Sequence, residues 1–160
     1  MNKTIHTIVM ATLCLFLSSV SSMAQTAALN IGDKIPEKVW NLSLQVLNHP
    51  QGKKTISLND YRGKLIILDF WATWCAACIA NFPKAGGIQD SLPGKVNFLA
   101  ITYEDENKAA AFFESRRAKG ISYDFPLVVH DSALKSLFPH RGVPHYVWID
   151  PAGTVRAIST

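Results

Sequence analysis

Leu65-Ile66-Ile67-Leu68-Asp69-Phe70-Trp71-Ala72-Thr73-Trp74-Cys75-Ala76-Ala77-Cys78 is the stretch that decides the reading of this chain. Leu65 to Phe70 is apolar apart from Asp69, the pattern of a strand covered on both faces. A strand that stops at a short turn leaves Cys75 at the start of the following helix, where free backbone N–H groups and the helix dipole favour a thiolate. Two intervening residues bring Cys78 round about one helical turn, close enough to attack a mixed disulfide formed at Cys75. Cys75 is the expected nucleophile and Cys78 the expected resolving thiol.

Upstream, Gly32-Asp33-Lys34-Ile35-Pro36 reads as a turn and Val39-Trp40-Asn41-Leu42-Ser43-Leu44 as a short edge strand. Thr55-Ile56-Ser57-Leu58 returns as its partner after the turn material Asn48 to Lys53, giving an N-terminal β-hairpin extension. Downstream, the helix that follows the cysteines is expected to bend at Pro83 and weaken at Gly86-Gly87. Val96 to Thr102 is a second buried strand, Glu106 to Lys119 a helix stopped by Gly120, and Phe125 to Val129 a short strand. Asp131 or Ser132 caps a helix through Phe138, and Tyr146 to Ile149 and Val155 to Ile158 form a terminal hairpin. This order predicts an α/β layered domain around a central mixed sheet.

Residues 1–24 are expected to be a secretory signal peptide, with Lys3, an apolar stretch from Thr7 to Val20 and Ser22-Met23-Ala24 before the cleavage point. The apolar run is shorter than the roughly 20 residues a spanning helix needs. Cys14 lies inside that stretch after Leu13, where lipid attachment calls for a small residue, and so belongs to the leader. Residues 25–160 then suffice for one domain with its own core. The formal net charge is +4, including Lys3 in the leader. Lys53, Lys54, Arg116, Arg117 and Lys119 form small local groups without interleaved aromatics, so no nucleic-acid partner is expected. Two cysteines in the mature chain are too few for a disulfide scaffold, and an exported compartment is where dithiol chemistry on other proteins is needed.

Leu68 to Cys78 resembles the active-site strand and loop of thioredoxins, and Gly142-Val143-Pro144 before a strand resembles their cis-proline loop. With the leader and the lead-in Leu58-Asn59-Asp60-Tyr61-Arg62-Gly63-Lys64, the chain looks most like exported TlpA-type thiol-disulfide oxidoreductases, over about Ile31 to Thr160. The resemblance implies a thioredoxin-like fold and a redox-active Cys75–Cys78 pair as the reactive group, with no other cofactor and no metal. It implies that Pro144 is cis and leaves the backbone at Val143 free to pair with an extended substrate. Asp69 matches a buried carboxylate that exchanges a proton with the second thiol, and Glu104 matches an acid near the dithiol. Trp71 is expected in the core and Trp74 as a partly exposed platform for substrate. The implied partners are protein disulfide or dithiol substrates and an upstream thiol electron donor, which a membrane protein could supply. The implied address is outside the cytoplasm, periplasmic in a Gram-negative source.

The chain departs from that pattern in three places. Ala76-Ala77 supplies neither proline nor histidine between the cysteines, so a reducing or intermediate potential is expected. His145 follows Pro144 where a small hydroxyl residue is commoner, as added positive charge near Cys75 or as a plain loop histidine. The sequence stops at Thr160, where family members usually continue into a helix over one sheet face, so that helix is expected to be missing, with either the chain incomplete or the sheet covered differently. Two other readings compete. A peroxiredoxin-type peroxidase wants Thr three positions before its cysteine and Pro four before that, where this chain has Ala72 and Leu68. A copper-binding SCO-like chaperone would use both thiolates with His140 or His145.

Overall fold

The computed structural model describes residues 27–123 and 125–160. The expected leader, with Cys14, lies outside the described residues. Strand β1 (Leu44–Leu47) pairs antiparallel with β2 (Thr55–Ile56), and a 3-10 turn at Leu58–Tyr61 leads into β3 (Leu65–Phe70). After β3 come α2 (Ala76–Ser91), β4 (Val96–Ile101), α3 (Glu106–Arg117), β5 (Leu127–Val128), α4 (Ala133–Leu137), β6 (His145–Ile149) and β7 (Val155–Ser159); the helical turn α1 (Glu37–Trp40) precedes β1. The seven strands form one mixed sheet in the order β2-β1-β5-β4-β3-β6-β7. β3 is central, parallel to β4 and antiparallel to β6.

Alternation along β3 explains its unbroken apolar sequence, because each face of the sheet has its own cover. Ile66, Leu68 and Phe70 join Val39 and Trp40 of α1 and Leu134, Leu137 and Phe138 around α4 in one cluster. Ile67 and Trp71 join Cys78 and Phe82 of α2 and Ala109 and Phe113 of α3 in the other. By the same alternation Asp69 lies on the α2 side.

The N-terminal hairpin forms, but its first strand is Leu44–Leu47 and not Val39–Leu44. Val39 and Trp40 are consecutive and both buried in one cluster, which a strand would prevent by sending them to opposite faces. A helical turn after Pro36 places them side by side. It also sets Trp40 against the β6–β7 turn, where Gly153 has φ +78° and a Cβ would stand 2.8 Å from the indole. Nor is β1 an edge, since Val46 and Leu47 pair with Val128 and Leu127 of β5 and leave β2 outermost. α2 runs unbroken through Pro83 and Gly86-Gly87 to Ser91, anchored by buried Cys78 and Phe82.

Candidate active site

The site is built where β3 ends. Trp71 N–H still donates to Ile101 C=O of β4, after which the chain turns through Ala72, Thr73 and Trp74 to Cys75, the N-cap of α2. Cys75 N–H donates to Ala72 C=O at 2.9 Å, closing the turn. Cys75 and Cys78 are joined, sulfurs 2.00 Å apart, and Cys75 Sγ accepts from Cys78 N–H at 3.2 Å. A sulfur at the N-cap position receives the first free N–H groups of a 16-residue helix, which stabilise it as a thiolate once the pair is reduced.

Glu104 fixes the turn from below. Its carboxylate accepts from Thr73 N–H at 2.7 Å and from Thr73 Oγ1 at 3.0 Å, and Lys108 Nζ lies 2.7 Å from the same group. Burial pushes this carboxyl up, but the hydrogen bonds from Lys108 and Thr73 outweigh it and hold the group below the usual carboxylate range. Glu104 is thereby engaged as an anion under the loop that carries Cys75. Glu104→Ala is expected to lower stability by about 1–3 kcal/mol, because Thr73 N–H loses its charged acceptor in a buried setting; urea unfolding of the oxidised protein measures it.

Asp69 is fully buried on the face where α2 buries Cys78, and neither carboxylate oxygen has a hydrogen-bond partner. Burial pushes its carboxyl up to about 8. Trp71 is wholly buried, its ring edge-on to Phe82 and Phe113. Trp74 is 63% exposed and its indole N–H donates to Tyr103 OH at 3.1 Å, so its ring is braced by the segment that follows β4. The Val143–Pro144 peptide bond is cis. The β3–β6 ladder ends at Phe70↔His145, so Val143 lies beyond it, packed against the cluster that holds both cysteines.

His145 opens β6 and faces the layer opposite the one that holds the cysteines. Its ring is buried in the opposite layer with Phe70, stacked on His140 at 4.5 Å between centroids, and neither ring nitrogen has a partner. Burial, reinforced by His140, holds its pKa below the usual value, which disfavours added charge near Cys75. No group of three metal-ligating His, Cys, Asp or Glu side chains stands together among the described residues. The structure joins Cys75 to Cys78, packs Val143 against the cluster that holds them, places Asp69 on the same face of the sheet as Cys78, and sets Glu104 under the loop that carries Trp74. Thr73, Tyr103 and Lys108 escaped the sequence reading; Thr73 was visible only as a hydroxyl two residues before Cys75, and the other two carry no local signal.

A family model described as AhpC/TSA matches residues 31–158. The chain belongs to the AhpC/TSA family. Similar proteins include the thioredoxin-like protein YneN of Bacillus subtilis, 26% identical over 130 residues, 80% of this chain and 72% of that one. The thiol-disulfide oxidoreductase ResA of Oceanobacillus iheyensis is 28% identical over 133 residues, 80% of this chain and 64% of its own length. In fold, the crystal structure of a protein described as the thiol:disulfide interchange protein DsbE from Chlorobium tepidum superposes with a TM-score of 0.66 at 23% identity, covering 82% of this chain and 85% of that one. With its Cys75–Cys78 pair, this AhpC/TSA member is a thioredoxin-like thiol-disulfide oxidoreductase.

Proposed function

We propose that the protein reduces disulfides of other proteins outside the cytoplasm, as residues 25–160 freed from a cleaved leader, periplasmic in a Gram-negative source. The observation that carries this reading is the placement of Cys75 at the N-terminus of α2 with the buried Asp69 carboxyl on the same side of the sheet as Cys78. Cys75 thiolate attacks a substrate disulfide, forming a Cys75–substrate bond as the substrate S–S bond breaks, and the first substrate thiolate takes a proton from solvent. Asp69 carboxylate removes the proton of Cys78. Cys78 then attacks Cys75 Sγ, forming the intramolecular disulfide and releasing the second substrate thiolate. Two electrons from an upstream dithiol donor, with two protons, restore the pair.

Val143 supplies the backbone edge on which an extended substrate segment adds as a strand, and Trp74 the apolar surface beside it. Glu104 acts as a positioning residue in this scheme, since its oxygens are occupied by Thr73 and Lys108. Equilibrating the mature chain with glutathione or dithiothreitol buffers tests the direction of electron flow. A potential far below the roughly −120 mV of strong oxidants is expected. A value near that figure would make the protein a disulfide donor and overturn the reductase reading.

A further inference from the structure

Behind the dithiol, between α2 and the sheet, runs a groove of about 240 Å³ whose lining includes Ile67, Asn81, Lys84, Ala85, Tyr146 and Trp148. Asp69 and Tyr146 are partners across the β3–β6 ladder. Residues directly opposite in an antiparallel pair share a face, so Tyr146 and Asp69 both project to the α2 side, with no hydrogen bond between phenol and carboxyl. Tyr146 is half-buried and reaches the groove. Its hydroxyl oxygen accepts from Asn81 Nδ2 of α2 at 3.3 Å. Because Asn81 supplies that hydrogen, the phenol keeps its own proton for another acceptor. Neither Asp69 oxygen has a partner, the phenol included, so a water molecule is the link that can join the carboxyl to the phenol oxygen.

Burial, and then the charge of Asp69, hold the Tyr146 phenol above its ordinary value, so the two groups sense each other. The other surroundings of Asp69 offer little: Ala100 is its β4 partner, and Ile67 and Trp71 flank it on β3's α2-side face. α2 contributes Cys78, Asn81 and, in the groove, the one cation Lys84; α3 contributes the apolar Ala109 and Phe113 to that layer. At neutral pH most of the Asp69 population is protonated and must release its proton before it can accept that of Cys78.

We propose that Tyr146, held by Asn81, is a positioning residue that connects Asp69 to solvent in the groove, so that the carboxyl loses and regains its proton behind the dithiol and not through the mouth a bound substrate covers. The proton leaves Asp69 for solvent water in the groove by way of a water held on the phenol oxygen, and Tyr146 ends each exchange protonated as it began. This rests on Asp69 being the acceptor of the Cys78 proton.

The test is a single turnover in which Cys75 is first joined to thionitrobenzoate and release of that chromophore by Cys78 is followed against pH. Tyr146→Phe is expected to slow release at pH 7 on the order of ten-fold, a fraction of what a full general base supplies. Added imidazole, small enough to enter the groove, is expected to restore the rate. Asn81→Ala should lose less and recover in the same way. Formation of the adduct at Cys75, measured in the Cys78→Ser background, should be unchanged by Tyr146→Phe. An unchanged release rate in Tyr146→Phe, or a slowed one that imidazole does not restore, overturns the groove route if Asp69→Asn slows the same step. If Asp69→Asn leaves release unaffected, the role of Asp69 itself fails.

Discussion

Cys78→Ser is expected to convert turnover into capture: one equivalent of substrate thiol stays joined to Cys75, visible as an adduct on a non-reducing gel and lost on adding dithiothreitol. Cys75 keeps its place as N-cap of α2, where the first N–H groups of the helix favour the thiolate, so the first exchange proceeds. What is missing is the neighbouring sulfur that displaces the substrate. Cys75→Ser should give neither adduct nor turnover. An adduct forming at Cys78 in the Cys75→Ser protein would exchange the roles assigned to the two sulfurs.

Asp69→Ala is expected to stabilise the oxidised protein and slow its chemistry together. The carboxyl is held at about 8 by burial, against 3.8 for an exposed aspartate. At roughly 1.36 kcal/mol per pKa unit, this amounts to at most about 4 kcal/mol of lost stability at pH 7, less the cost of the small cavity left by the truncation. The sign follows from the raised value. The unfolded chain gives up its proton near pH 3.8 while the folded one holds it to about 8, so rising pH favours the unfolded state across that interval. The parent protein should thus lose stability between about pH 4 and pH 8 relative to the variant, and the gap should stop widening above that window. Urea midpoints at pH 5 and pH 8 measure it. A gap that does not grow between those values would mean that Asp69 ionises freely. The same variant should release thionitrobenzoate from Cys75 more slowly, because Cys78 has lost its proton acceptor.

The strand-turn-dithiol segment was legible because its signals are local. Continuous burial of β3, a short turn and a helix N-terminus all follow from neighbouring residues. The buried position of Asp69 was implied by the resemblance and not by the run itself, in which a solvated strand-end aspartate reads equally well. The α1 turn was misread because Val39, Trp40, Leu42 and Leu44 alternate loosely, while Val39 and Trp40 are buried together in one cluster and Trp40 packs on Gly153, more than a hundred residues later. Glu104 illustrates a different limit. Its nearness to the dithiol loop could be anticipated from resemblance, but its task depends on Thr73 and Lys108, whose side chains meet it only in the folded chain. Tyr146 was read as one more strand residue; only the β3–β6 register sets it opposite Asp69.

Val143 is packed against both hydrophobic layers of the molecule. On the function proposed above, the edge offered to a substrate is then clamped from two sides, a jaw with little give. Compliance must then come from the other partner. Disulfides in loops or unfolded segments, which can be drawn out straight along the edge, should be reduced readily, whereas those locked in rigid cores should be passed over. A stiff docking edge thus becomes a sieve for how well folded a client is, with no need to recognise which client it is.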